Sequence, residues 1–97
     1  MKNQDKEPRI TLQGVKILRY FIDHEREHSG ADIAKCTGLK SGTLYPLLKK
    51  FECAGWLKSR WENIDPSKER RPRRHLYSIT EIGAAIYREN IVELLAQ

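Results

Sequence analysis

Hydrophobic residues recur at three- and four-residue spacing near the start of the chain and predict an amphipathic helix there. The apolar stripe consists of Leu12, Val15, Ile17, Leu18, Phe21 and Ile22. Thr11 precedes the stripe and is a suitable N-cap, so we expect the helix to begin at this residue and to end near Glu25. Residues 1–9 are polar and charged, and we interpret them as a loose amino-terminal arm.

Two further helical patterns follow, and the turn between them is short and contains glycine. Ser29 is expected to cap the first helix, which turns Ile33 and Ala34 inward and ends at Gly38. The second helix begins at about Ser41. Its apolar side consists of Leu44, Leu47, Leu48, Phe51 and Ala54. Two helices joined by so short a turn are typical of a helix-turn-helix motif.

The pattern then changes to the two-residue period of β-strands. Residues 56–62 (WLKSRWE) place Leu57 and Trp61 on one face, and residues 75–80 (HLYSIT) predict a second strand. Trp56 is expected in the core, whereas Trp61 could face either the last helix or a partner. The segment between the strands has two prolines and no apolar pattern. Loops of this length are usually functional or mobile, and a basic loop between two strands after a helix-turn-helix describes a wing.

The last predicted helix, residues 81–97, carries apolar residues on two faces. Thr80 is expected to cap it, and Ile82, Ala85 and Ile86 share one face near its start. The second face consists of Tyr87, Ile91, Leu94 and Leu95. A helix on the surface of a single domain needs only one apolar face, so the second face favours pairing with another subunit. The alternative is that the first helix of the same chain covers it.

Positive charge is concentrated in the middle of the chain. Between Lys40 and His75 ten basic residues accompany four acidic ones, a net charge of +6. The remainder carries eight basic and nine acidic residues, a net charge of −1. The excess therefore coincides with the predicted helix-turn-helix and wing, which favours a polyanionic partner and nucleic acid above all. A solvated charged face is the alternative.

Other classes of function find little support in the sequence. The 97 residues make one domain with no apolar run of about 18 residues that would span a membrane, and the start lacks a secretory signal. Cys36 and Cys53 fit neither a disulfide framework nor a four-ligand metal site, and we expect two small buried apolar residues in a cytoplasmic protein. Since His24, His28 and His75 have no metal-ligand spacing and no nucleophile–base pair is present, we expect neither a cofactor nor an enzyme.

Two segments of the chain, taken in order, match a known pattern. They are residues 29–62 (SGADIAKCTGLKSGTLYPLLKKFECAGWLKSRWE) and 71–83 (RPRRHLYSITEIG), and the most distinctive string is GLKSGTLYPLL. Together they closely resemble the short form of the PadR family of winged helix-turn-helix transcriptional regulators. The chain departs from the family at Ala31, where an aromatic residue is common, and at Phe51-Glu52-Cys53, where Leu-Glu-Glu is usual.

The resemblance implies a homodimer that binds pseudo-palindromic operator DNA, usually as a repressor, and whose carboxy-terminal region pairs the subunits. In such a fold the second helix of the motif enters the major groove, while nearby cations contact phosphates or a narrow minor groove. The candidate DNA-binding residues are Lys40, Ser41, Gly42, Thr43, Tyr45, Pro46, Lys49, Lys50, Arg70, Arg71, Arg73 and Arg74. The candidate dimerisation residues are Tyr87, Ile91, Leu94 and Leu95.

The expected fold class is mainly α with a small two-stranded β-wing, that is, a winged helix-turn-helix plus a carboxy-terminal dimerisation helix. We expect the amino-terminal arm at residues 1–9, the DNA-binding domain at 10–80 and the dimerisation helix at 81–97. A small-molecule effector at the dimer interface is compatible with this organisation, whereas the short carboxy terminus argues against an elaborate effector domain. Two alternatives stay open: an architectural or partition-type DNA binder, and a winged-helix module for protein interaction.

Overall fold

The computed structural model describes the backbone of residues 10–95 and the side chains of residues 10–91. The expected arm at residues 1–9 lies outside the described residues, as do the side chains of Leu94 and Leu95. The elements in chain order are α1 (Leu12–Asp23), β1 (His28–Ser29), α2 (Gly30–Thr37), α3 (Ser41–Cys53), β2 (Leu57–Trp61), α4 (Pro66–Glu69), β3 (His75–Ile79) and α5 (Glu81–Leu95). The mainly helical class with a small wing is confirmed, and β1 and α4 are additions that the sequence pattern did not predict.

The helices begin and end where the capping residues place them. The Thr11 hydroxyl accepts a hydrogen bond from the Gly14 amide at 3.2 Å, and the Ser29 hydroxyl accepts one from the Asp32 amide at 3.2 Å. Gly38 follows α2 at φ 77°, a left-handed conformation that glycine adopts without strain. This residue turns the chain, so α3 can begin only three residues later and pack across α2.

The core lies between α1, α3 and the inner face of the sheet. Its aliphatic centre consists of Ile17, Leu18, Ile33, Leu44 and Leu48, each 0% exposed. Phe51 packs on Trp56 with ring centroids 5.0 Å apart, which confirms Trp56 as a core residue. Leu12, expected in the apolar stripe, is 68% exposed, because it is the first residue of α1 and precedes the buried part of the helix.

A buried histidine explains the unpredicted strand β1. The sheet is antiparallel with the order β1-β3-β2, and His28 lies opposite Tyr77 of β3. Burial, and next the Cys36 thiol, raise the pKa of Tyr20 to about 12, so the phenol keeps its proton. Tyr20 therefore donates to His28 Nδ1 at 2.9 Å, and His28 Nε2 donates to the His24 carbonyl at 3.0 Å. Both ring nitrogens of His28 are thus occupied in holding this end of the sheet.

The rotation of α5 is set by a close contact at Gly83. A Cβ atom at this position would lie 2.2 Å from the Trp56 carbonyl oxygen, so only glycine permits the observed packing. The contact turns the preceding residue, Ile82, outward, and it is 58% exposed. The expectation that Ile82 packs on the domain is therefore wrong. Ile86 and Tyr87 pack against the core instead.

The two cysteines and the second tryptophan lie at the surface of the domain. Cys36 and Cys53 are exposed rather than buried, because larger aliphatic residues fill the inner faces of α2 and α3. Trp61 is 60% exposed. Within residues 10–95 no helix has the length and apolar character needed to cross a membrane. No group of three or more His, Cys, Asp or Glu side chains among the described residues could hold a metal ion.

Candidate nucleic-acid interface

The outer face of α3 is exposed along its length. Eight of the candidate residues lie on it or at its amino end, and all are exposed: Lys40, Ser41, Gly42, Thr43, Tyr45, Pro46, Lys49 and Lys50. No side chain among the described residues caps the amino end of α3 at Lys40, and nothing lies within 4 Å of the position that a Cβ atom would take at Gly42. The backbone amides at this end can therefore meet a phosphate group.

Tyr45 connects α3 to the wing. Its side chain shares a groove of about 210 Å³ with Arg74, His75 and Tyr77 of the hairpin. The ring packs over Gly30, where an added Cβ atom would lie 2.5 Å from both the Cε1 and the Oη atoms of Tyr45. Gly30 is thus a positioning residue that sequence reasoning missed, since no local pattern tells which side chain lies over a glycine.

The loop of the wing contains a short helix. Asp65 caps the short helix α4 by accepting a hydrogen bond from the Ser67 amide at 3.0 Å. Arg70 ends this helix at φ 58°, in the left-handed region. The sequence predicted no helix between the two strands, whereas Pro66–Glu69 form one, because Asp65 is an N-cap followed by a proline in the first turn.

Glu62 closes the base of the wing. Its carboxylate accepts hydrogen bonds from Arg71 Nη1 at 2.7 Å, from Arg71 Nη2 at 3.2 Å and from the Arg74 amide at 2.9 Å. The Arg71 guanidinium, followed by the Arg74 amide, lowers the pKa of Glu62 to about 2. The carboxylate is therefore charged at any physiological pH and joins the two ends of the loop.

The four wing arginines divide into two kinds. Arg71 is partly buried in its ion pair with Glu62, which assigns it to the structure of the wing. Arg70, Arg73 and Arg74 are exposed, although Arg73 Nε also donates to the Ile64 carbonyl at 3.1 Å. In the sequence these four arginines form one basic run. Only the contact between Arg71 and Glu62 in the structure distinguishes Arg71 from the other three.

Most cations of the basic segment face solvent without an ionic partner. Of the ten between Lys40 and His75, Arg60 pairs with Glu27 at 2.6 Å and Arg71 pairs with Glu62 at 2.7 Å. The other eight form no ion pair with any side chain that the structure describes. These eight cations are therefore available to bind an anionic partner.

The candidate dimerisation residues are only partly described. Tyr87 is half-buried because it packs against the core of its own domain. Ile91 is half-buried, and the side chains of Leu94 and Leu95 lie outside the described residues. Two other apolar residues are exposed, Leu12 at the start of α1 and Ile82 at the start of α5, and the sequence singled out neither for this role.

The helix-turn-helix α2–α3, followed by a hairpin whose loop extends beside α3, defines the protein as a winged-helix protein. The model of the transcriptional regulator PadR-like family matches residues 22–89. A PadR family transcription regulator from Clostridium difficile is 30% identical, with 81% of this chain and 84% of that chain covered and a TM-score of 0.64. The chain therefore belongs to the PadR-like family, which is a family of DNA-binding transcription regulators and not of enzymes.

Two more distant structures show the same fold. A PadR family transcriptional regulator from Eggerthella lenta is 22% identical, with 87% of this chain and 75% of that chain covered and a TM-score of 0.70. The structure of Bacillus subtilis PadR in complex with operator DNA is 20% identical, covers 87% of this chain and has a TM-score of 0.71. This chain spans 49% of the length of that protein. The comparison with curated proteins finds no match.

Proposed function

We propose that this protein is a homodimeric repressor that binds a pseudo-palindromic DNA operator. The observation that carries the proposal is the set of exposed cations on α3 and the wing that form no ion pair with a described side chain, where Tyr45 and Arg74 border one groove. An α-helix fits into the major groove of DNA, and the amino end of α3 is exposed. Arg70 and Arg74 of the wing suit contacts with flanking phosphates or with a narrow minor groove. Occupancy of an operator is enough to block transcription, so repression needs no further surface.

Exposed apolar residues on α1 and α5 support the dimer. Leu12 is 68% exposed and Ile82 is 58% exposed, and leaving such side chains in water forgoes roughly 1.5–3 kcal/mol each. A two-fold dimer would bury them together with the proposed interface on Tyr87, Ile91, Leu94 and Leu95. It would also set two copies of α3 about one helical turn of DNA apart, the spacing that two half-sites require.

Selection of bound duplexes from random DNA, followed by footprinting, tests the proposal. The expected result is one discrete pseudo-palindrome with half-sites about 10 base pairs apart, bound by a species that sediments as a dimer. The selected site placed across a promoter should then lower transcription in vitro. A footprint that spreads along any duplex would favour an architectural or partition-type protein, and no footprint would favour a protein-interaction module. Either result would overturn the proposal.

A pair of lysine variants makes the test specific to the surface. Lys49→Ala removes an exposed charge from α3, and because a dimer has two copies the slope of log K against log salt should fall by roughly two. Lys16→Ala is the matched control, since Lys16 lies on α1 in a different groove, beside Tyr20 and Cys36. The control should leave the slope unchanged. Equal effects of the two variants would mean that α3 does not face DNA.

An effector site is proposed beside the dimerisation helix. A groove of about 480 Å³ between α1, the sheet and α5 supports it. Phe21 and Ile79 contribute apolar lining, and the charged lining consists of Arg26, Lys58, Arg88, Glu25 and Glu27, of which Glu27 is paired with Arg60. This combination suits a small anionic compound with an apolar body. Release of the operator by members of a panel of such compounds, and loss of that release in Arg88→Ala, is the expected result. Release that persists unchanged in Arg88→Ala would place the effector elsewhere.

A further inference from the structure

A large aromatic side chain on the wing has no role in the fold. Trp61, the last residue of β2, is 60% exposed. Its indole stacks on the His75 imidazole with ring centroids 4.6 Å apart and an angle of 8° between the planes. One face of the indole is thus fixed by the protein, and much of the side chain remains open to solvent. An exposed tryptophan side chain that is held in one orientation is typical of contact surfaces.

Hydrogen bonds from α3 fix the imidazole on which Trp61 stacks. The Ser59 hydroxyl donates to Glu52 Oε2 of α3 at 2.6 Å, so its oxygen accepts from His75 Nε2 at 2.9 Å. Burial, followed by the charges of Glu52 and Tyr45, raises the pKa of Tyr77, which therefore keeps its proton and donates to His75 Nδ1 at 3.2 Å. Both ring nitrogens are occupied, and the plane of His75 is set relative to α3.

The register of the hairpin places Trp61 on the side of the sheet that faces α3. Trp61 pairs with His75, Ser59 with Tyr77 and Leu57 with Ile79, and directly opposed residues share a face. Leu57 and Tyr77 are buried in the core, so this is the inner face of the sheet, and Trp61 lies where that face extends beyond the core. The neighbouring Arg60 points to the other face, where it pairs with Glu27.

His75 joins Trp61 to the groove that Tyr45 and Arg74 border. It lines that groove, and it carries Trp61 stacked against its ring. The surface therefore contains Tyr45, the exposed residue Arg74 and, through His75, the indole of Trp61. Aromatic rings beside a cation match the DNA backbone, in which apolar deoxyriboses alternate with anionic phosphates.

We propose that Trp61 is a DNA-contacting residue, whose indole packs on deoxyribose groups of the operator next to a phosphate held by Arg74, and that His75 is its positioning residue. The proposal rests on the proposed function and adds an uncharged contact to it. Because an indole neutralises no phosphate, this contact should contribute affinity without contributing to the salt dependence. That property separates it from the contacts of every lysine and arginine on the same surface.

Fluorescence and affinity measured on the full chain with the selected operator duplex test this proposal. The protein has two tryptophans, Trp56 at 2% exposure and Trp61 at 60%, so acrylamide quenching of the free protein reports mainly on Trp61. Operator DNA should protect the wild-type fluorescence from acrylamide. In Trp61→Phe, where only buried Trp56 remains, DNA should change the quenching little, which assigns the protected signal to Trp61.

The affinities of matched variants complete the test. Trp61→Ala should weaken operator binding at least about tenfold with an unchanged salt slope, whereas Trp61→Phe should stay within about threefold of the wild type. His75→Ala should weaken binding and make Trp61 more accessible to acrylamide in the free protein. His75→Phe, which keeps an aromatic ring under the indole, should restore both. A merely structural role for His75 would not predict this rescue.

Three results would overturn the proposal, and each is distinguishable from failure of the proposed function. If operator DNA leaves the quenching of wild-type fluorescence unchanged, or if Trp61→Ala binds as tightly as the wild type, Trp61 does not contact DNA, although the protein still binds its operator. If the wild type binds no duplex at all, the proposed function fails first. Protection of Trp61 in the free protein that depends on protein concentration would assign the indole to a protein interface and equally refute the DNA contact.

Discussion

Replacing Gly30 with alanine should weaken DNA binding while leaving the fold intact. Gly30 is the first residue of α2 and is buried under the ring of Tyr45. An added Cβ atom would lie 2.5 Å from Cε1 and from Oη of that ring. The nearest atoms belong to the far end of a side chain that is 45% exposed, so the ring can move aside without disturbing the backbone. The cost should therefore fall on the position of Tyr45.

The size of the effect follows from the size of the displacement. Carbon atoms in contact prefer separations of about 3.5–4.0 Å, so the ring must retreat by at least about 1 Å. A hydrogen bond from the Tyr45 hydroxyl to a phosphate would then lie outside the usual range of about 2.5–3.0 Å. Losing one hydrogen bond to a charged group costs about 1.5–3 kcal/mol, which corresponds to a roughly 10- to 150-fold loss of affinity for each of the two subunits of the proposed dimer. Stability should stay constant or rise by about 0.4–1 kcal/mol, because alanine restricts the unfolded chain.

Fluorescence anisotropy with the selected operator and urea unfolding of the same samples measure the two quantities. A double-mutant cycle with Tyr45→Ala identifies the cause: if Gly30→Ala acts through Tyr45, it should cost almost nothing once the ring is absent. The reasoning is refuted if Gly30→Ala binds the operator like the wild type, or if it weakens binding equally in the presence and absence of the Tyr45 ring. A large loss of stability would show instead that the backbone, and not the ring, had to move.

Three further substitutions have defined outcomes. The Cβ atom of Gly42→Ala would meet no described atom outside its own helical turn within 4 Å, so this substitution should not destabilise the fold. A loss of operator affinity in anisotropy would therefore place the amino end of α3 against DNA, and an unchanged affinity would remove it from the interface. Gly83→Ala should lower the free energy of unfolding in urea by about 1–3 kcal/mol or more, because the Cβ atom would lie 2.2 Å from a carbonyl oxygen of the backbone; a wild-type urea midpoint would contradict the packing of α5. Glu62→Gln should loosen the wing at neutral pH, as measured by proteolysis of the loop. The pKa of Glu62 is lowered from 4.5 to about 2, so its stabilisation is present above pH 4.5 and is lost as the pH falls toward 2. The difference between wild type and variant should therefore disappear at low pH, and a constant difference would exclude the ion pair as its cause.

The helical part of the fold could be predicted because its signals are local. Thr11, Ser29 and Gly38 each act within three or four residues of their own position, and the caps that they form are those expected from their side chains. The buried side of α3 followed in the same way from the spacing of Leu44, Leu48 and Phe51. Periodicity and capping are properties of a short segment, so the sequence alone is enough to specify them.

The parts that could not be predicted depend on contacts between distant segments. The strand β1 exists because His28 meets Tyr20 and pairs with β3, 49 positions further along the chain at Tyr77. The side chain of Ile82 points outward, against the sequence prediction, because the helix rotation is fixed by Gly83 against the Trp56 carbonyl. Neither contact leaves a periodic pattern in its own segment.

For the candidate DNA-binding surface, the exposure of residues could be predicted from the local sequence pattern, whereas the ion pairs could not. The exposure of the outer face of α3 follows from its helical period, and the structure bears it out for each of its candidate residues. The run of arginines in the wing carries no such period, and the ion pair at Glu62 alone separates Arg71 from the others. Local pattern therefore identifies a basic wing, whereas the distribution of charge within it requires the three-dimensional contacts.

Hydrogen bonds between α3 and the hairpin would affect which DNA the surface binds, because they fix the wing relative to the helix. Glu52 of α3 holds Ser59 of β2, and Ser59 holds His75 of β3, so the base of the wing is fixed to the helix that would enter the major groove. Glu62 then fixes the loop to that base. A helix and a wing joined in this way present their cations at one spacing, and DNA whose phosphates and groove width match that spacing is favoured over DNA that must be deformed. The rigidity of the link would thus contribute to specificity at positions that no side chain touches.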